Sequence, residues 1–157
     1  MHIRPEIPHW VVWVVMAAFA AACIYCAVID LRERIIPNRI TYPMGIISIV
    51  LAPVLWSNWT THLICGFGVG LFFFLLANFK VRGQYAMGMG DVKLYTVAGF
   101  ALGLGALPCV LISTLVGSIE GIVILVKKGT STQIAHGHHI CIGILIMLAL
   151  GIQGVIA

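Results

Sequence analysis

Two acids carry the chemistry available to this sequence. Asp30 follows a long apolar run, and Asp91 follows Gly88-Met89-Gly90 ahead of another. Two carboxylates a few Å apart do not both ionise easily, so one keeps its proton near neutral pH. Such a pair activates water. The ionised member takes a proton from the water, while the protonated member polarises a carbonyl and stabilises the tetrahedral intermediate. That is peptide hydrolysis without metal, cofactor or covalent intermediate, and Asp30 and Asp91 are its expected catalytic residues.

Local context supports each acid, and each has a plain alternative. Glycines at 88 and 90 allow φ > 0 and close approach of another backbone. An extended peptide needs that approach to reach a carboxylate. Asp91 opens a helix, where the dipole is favourable to negative charge. Gly-x-Gly-Asp also fits an ordinary turn with an N-cap. Asp30 sits at a helix C-terminus, where Lys or Arg would be the stabilising choice. It fits a simple interfacial ending as well, but a local conflict of this kind is what functional sites show.

The elements that position these acids are membrane spans. The 157 residues are 61% hydrophobic and 9% charged. Soluble domains carry roughly 25% charged residues, and a soluble chain this apolar would expose large apolar patches. The length suits one domain over 1–157. A span needs about 20 apolar residues. Three candidates cover about 10–29, 40–56 and 62–79. Pro43 fits near the first turn of the second, and Pro53 should kink or end it. Residues 94–126 contain one charge, Glu120. As one helix they would reach about 50 Å, against a hydrocarbon core of roughly 30 Å. Gly103, Gly105 and Pro108 mark a turn that divides them. A last span covers about 140–156. The expected fold is all-α and polytopic, with about six transmembrane helices.

The net charge is +4, and eight of the nine Lys and Arg residues fall in three loops. These are Arg32, Arg34 and Arg39; Lys80, Arg82 and Lys93; Lys127 and Lys128. With six spans the loops share one side, and the positive-inside rule makes it cytoplasmic. Both termini are then extracytoplasmic, and Asp30 and Asp91 meet at the cytoplasmic face of the cell membrane. Trp10, Trp13, Trp56 and Trp59 read as an interfacial belt on the other face. No basic stripe suits nucleic acid.

Asp30, then Ile36-Pro37-Asn38, then Gly88-x-Gly90-Asp91-x-Lys93-Leu94 resembles the type IV prepilin peptidases, a branch of the GxGD membrane aspartic peptidases. The resemblance covers most of the chain. It implies removal of a short basic leader from prepilins or pseudopilins, just before the substrate's apolar helix, at the cytoplasmic membrane face. It implies Asp30 and Asp91 as the catalytic pair, Gly88 and Gly90 as shapers of the loop, and Pro37, Asn38 and Lys93 as supporting positions. The partners implied are the prepilin substrate and the lipid bilayer. Many members also carry a cytoplasmic domain with two CxxC pairs that methylates the new N-terminus. The short loop from Asp30 to Arg39 holds no such insert, so the short, peptidase-only form found with Tad-type pilus systems is expected. Members usually have a PxGP-like segment before the last helix. Here Ile134-Ala135-His136-Gly137-His138-His139 keeps only the glycine.

Other features take quieter readings. Cys23, Cys26, Cys65, Cys109 and Cys141 lie in apolar runs and read as packing residues. His136, His138 and His139 could form a metal-ligand set, but no acid or Cys nearby in sequence completes it. They read as loop residues with pH-sensitive contacts, and no metal is expected. Glu120, deep in a span, reads as structural. Gly66-x-Gly68-x-Gly70 suits close helix packing. Two other functions stay open. An ion- or proton-coupled transporter could use Asp30, Asp91 and Glu120. A presenilin-like intramembrane protease usually has Tyr before its first Asp, where this chain has Ile29.

Overall fold

The computed structural model of the chain describes residues 3–81, 84–85, 87–128 and 136–156. The loop residues Arg82, Gly83, Ile134 and Ala135 lie outside them. Six helices carry the fold: α1 (His9–Glu33), α2 (Asn38–Leu55), α3 (Trp59–Ala77), α4 (Met89–Leu102), α5 (Ala106–Lys128) and α6 (Gly137–Ile156). Between α3 and α4, Lys80–Val81 (β1) pairs antiparallel with Gln84–Tyr85 (β2). Among the described residues four stretches are long and apolar enough to cross a membrane: His9–Glu33, Asn38–Leu55, Trp59–Ala77 and the run Met89–Lys127. Gly137–Gly151 is apolar but shorter.

Lipid forces this architecture, because backbone polar groups in hydrocarbon must be satisfied within the segment. Large apolar side chains such as Ile64, Phe67, Leu111 and Ile119 face outward, while Cys23, Cys26, Ala52, Ala98, Cys109 and Cys141 are buried. Helices in lipid gain no hydrophobic free energy from meeting, so small residues and tight contact hold them together. At the α3–α4 seam a Cβ on Gly99 would lie 2.7 Å from Gly66 Cα and 2.8 Å from the Cys65 carbonyl oxygen. Gly70 abuts Thr96, whereas Gly68 has nothing within 4 Å. The expected three-glycine face therefore narrows to Gly66 and Gly70, which lie one turn apart.

The run Met89–Lys127 does divide. Gly103 adopts φ 57, ψ −127, a conformation open essentially to glycine, and a 3₁₀ turn covers Gly103–Gly105. The Tyr95 and Ser113 hydroxyl oxygens lie 2.7 Å apart. Along one straight helix those residues would be separated by about 27 Å. So α5 returns along α4.

Three expectations need correction. α1 continues past Asp30 to Glu33 and ends on Arg34, which is left-handed at φ 55. α2 begins at Asn38, which puts Pro43 inside the helix, and it ends two residues after Pro53. Trp10, Trp13 and Trp59 are exposed, but Trp56 is buried and stacks on His62 with ring centroids 5.2 Å apart. Trp56 packs the interior instead of joining the belt.

Candidate active site

Asp30 lies in the last turns of α1 and is only 3% exposed. Its local problem, an acid near a helix C-terminus, is resolved by another helix. The backbone N–H of His138, in the first turn of α6, donates to Asp30 Oδ2 at 2.8 Å, and His138 Nδ1 lies 3.3 Å from the same oxygen. The positive end of the α6 dipole thus faces the carboxylate. Gly137 makes that approach possible. A Cβ there would sit 2.9 Å from Asp30 Cγ and 2.7 Å from Ile36 Cδ1. The one residue kept from the expected PxGP-like segment is the one pressed against the acid.

Asp91 is half-buried in the first turn of α4, with its N–H bonded to the Gly88 carbonyl. Ile36, from the short α1–α2 connection, is the wedge between the two sites. A Cβ on Gly90 would meet Ile36 Cβ at 3.1 Å, and the end of the same side chain is the one that a Cβ on Gly137 would meet. Space, then, is the reason for glycine at 90. The expected φ > 0 is not found: Gly88 is extended at φ −74, and Gly103 is the positive-φ glycine among the described residues. A Cβ on Gly88 would lie an ordinary 3.5 Å from Asp91 Oδ2 and would crowd access to that oxygen.

The supporting residues fall into two groups. Lys93 Nζ donates to Asn38 Oδ1 at 2.8 Å and lies 5.0 Å from the Tyr42 ring centroid, which ties α4 to the start of α2. Pro37 caps α2, and its carbonyl accepts the N–H groups of Ile40 and Thr41. Neither group touches the acids directly; both hold the connection that carries Ile36.

Sequence reasoning missed the surroundings of Asp30. Glu120, read as structural, points at the α6 N-terminus. Its Oε2 lies 2.6 Å from His139 Nε2 and 3.3 Å from His138 Nε2. The premise that no acid stands near the histidines is overturned, because α5 supplies one. His136 Nε2 lies 3.2 Å from the Tyr95 hydroxyl. Tyr95 stacks on Phe73 at 4.1 Å. The sequence signals for this polar cluster were the three closely spaced histidines and an acid at a membrane depth that normally excludes one.

The description of the type IV leader peptidase family matches residues 17–126, a range that includes both acids and ends before the histidine segment. A prepilin leader peptidase/N-methyltransferase of Xanthomonas campestris pv. campestris is 31% identical over 138 residues, covering 83% of this chain and 48% of that protein. Proteins of the same description from Aeromonas hydrophila and Aeromonas salmonicida are each 31% identical over 157 aligned residues, covering 88% of this chain. The chain spans about half the length of these relatives. No solved structure matches it.

Proposed function

The chain belongs to the type IV leader peptidase family, and from that premise we propose that it is an aspartic endopeptidase that removes the basic leader of prepilin-like substrates. The observation that carries the reading is that Ile36 packs against both Gly90, the neighbour of Asp91 on α4, and Gly137, which is pressed against Asp30 at the end of α1, so the two acids stand at the same end of the bundle. One carboxylate accepts a proton from water as the water attacks the scissile carbonyl. The other lends its proton to the carbonyl oxygen, and the roles reverse as the intermediate collapses. Each acid has a helix N-terminus beside it, Asp91 its own and Asp30 that of α6, so the charge they share is stabilised without a metal.

Support for the substrate class comes from an apolar groove that reaches the first turn of α4, the turn that carries Asp91. A cavity of about 520 Å³ runs between α2, α3 and α4 and is lined by residues such as Gly45, Ile49, Phe67 and Phe100, with Met89 and Lys93 at one end. A substrate with an apolar helix directly after its cleavage site would lay that helix in the groove and bring the preceding bond to Asp91. The basic residues Arg32, Arg34, Arg39 and Lys127, at or beside the ends of α1, α2 and α5, favour the cytoplasmic face for this site. Family membership favours this reading over transport.

The test is leader release from a prepilin, followed by gel with the purified chain in detergent. Asp30→Asn and Asp91→Asn should each lower kcat by roughly 10²–10⁴-fold, with the helical circular dichroism unchanged. Normal cleavage by either variant would remove the two-acid mechanism.

A further inference from the structure

Glu120 Oε2 is shared between two imidazole nitrogens, His139 Nε2 at 2.6 Å and His138 Nε2 at 3.3 Å. The chemistry of that arrangement is constrained. His138 Nδ1 faces Asp30 Oδ2, and when it donates there, its Nε2 carries a lone pair. That lone pair points at a carboxylate oxygen, which also only accepts. Two acceptors face each other unless a positive charge sits between them.

We propose that Glu120, His138 and His139 form a binding site for a divalent transition-metal ion of the zinc class, with Asp30 as the partner that orients His138. The three donor atoms all lie within 4.8 Å of one another. Donors on one tetrahedral zinc, at about 2.0–2.2 Å from the ion, stand roughly 3–3.5 Å apart, so small side-chain rotations suffice. Two imidazoles and one carboxylate suit zinc, cobalt or nickel far better than magnesium or calcium, which prefer all-oxygen shells. The contact of His138 with Asp30 is the outer-shell arrangement metal-bound histidines use, in which a carboxylate accepts the second ring N–H. The ion would also join α5 to the start of α6. On the peptidase reading, its occupancy bears on one of the two catalytic acids. Binding itself does not depend on that reading.

The experiment uses the full chain without a histidine tag, stripped with chelator in detergent and then dialysed against Zn²⁺, Co²⁺ or Mg²⁺. One Zn²⁺ per chain is expected, with a rise in the thermal unfolding midpoint and no response to Mg²⁺. Co²⁺ should give visible ligand-field bands without a thiolate charge-transfer band. Glu120→Gln and His139→Gln should each weaken Zn²⁺ binding at least tenfold. Asp30→Asn should weaken it by about 10–100-fold through His138. Absence of stoichiometric binding in the folded protein would mean that only a proton bridges the cluster, and would overturn the proposal. So would a thiolate band, or binding that survives both ligand variants, because the ion would then sit elsewhere, as at the buried Cys23 and Cys141. A dead peptidase that still binds Zn²⁺ leaves the metal site standing and counts against the proposed function alone.

Discussion

At the scale of single residues, the close contacts around Asp30 set the sharpest expectations. Gly137→Ala places a methyl 2.9 Å from Asp30 Cγ and 2.7 Å from Ile36 Cδ1. Either the α6 N-terminus or the carboxylate must move. The expected outcome is a loss of about 1–3 kcal/mol in stability and at least a tenfold loss of leader cleavage, since geometry at the acid is disturbed. Gly68→Ala is the matched control. It meets nothing within 4 Å and should hold or gain stability, because alanine is the better helix former. His136 gives a pH expectation. Burial lowers its affinity for a proton below the ordinary value, His139 and His138 add to that, and Asp30 opposes it. A histidine held neutral by folding contributes stability that is present above about pH 6.5 and is lost as the pH falls. The thermal midpoint should therefore drop on going from about pH 7 to 5, and His136→Phe should flatten part of that slope. An unchanged slope would exclude His136 as its source. Asp30, Gly88, Gly90 and Asp91 were legible as chemistry from type and spacing. Gly137 was legible only as a leftover of a motif, because its purpose depends on which helix end docks on Asp30.

At the scale of elements, the α3–α4 seam is where the architecture is least forgiving. Gly66 and Gly99 bring two backbones into contact, and a Cβ on Gly99 would meet Gly66 Cα at 2.7 Å. Backbone cannot swing aside as a side chain does. Gly99→Ala should cost about 1–3 kcal/mol, read as a lower unfolding midpoint in detergent, and Gly99→Leu should block folding. If Gly99→Ala unfolds like the parent, the seam has room for a methyl group and does not depend on backbone contact. The six apolar runs were readable because lipid permits few alternatives to a helix. The α4–α5 hairpin was readable because 33 residues are too many for one span and glycines stand at its middle. The rotation of each helix about its axis was not readable. With apolar residues on every face, the sequence carries little signal for which side of α5 turns inward, so the meeting of Glu120 with His138 and His139 stayed hidden.

At the scale of the whole molecule, alternating helix directions bring the end of α1, the start of α2, the start of α4 and the start of α6 together. Asp30, near the end of α1, and Asp91, in the first turn of α4, are therefore carried to the same end of the bundle. The same arrangement leaves an apolar groove between α2, α3 and α4 that reaches Met89 and Lys93 in the first turns of α4. In lipid an apolar substrate helix gains nothing from leaving one hydrocarbon environment for another, so its affinity must come from packing. Narrowing the groove therefore tests the proposed docking directly. Gly45 lines it, and a Cβ there would be 3.4 Å from Val97 Cγ2, an ordinary contact. Gly45→Leu should fold, because the added atoms extend into the open groove. The lost packing should raise KM for a full-length prepilin about tenfold, equivalent to roughly 1.4 kcal/mol, with kcat nearly unchanged. A short leader peptide without the apolar helix should be cut by parent and variant at the same rate. Equal KM values for the full-length substrate would place its helix elsewhere, against α6 or out in the lipid, and leave Asp30 and Asp91 to be reached from the aqueous side alone.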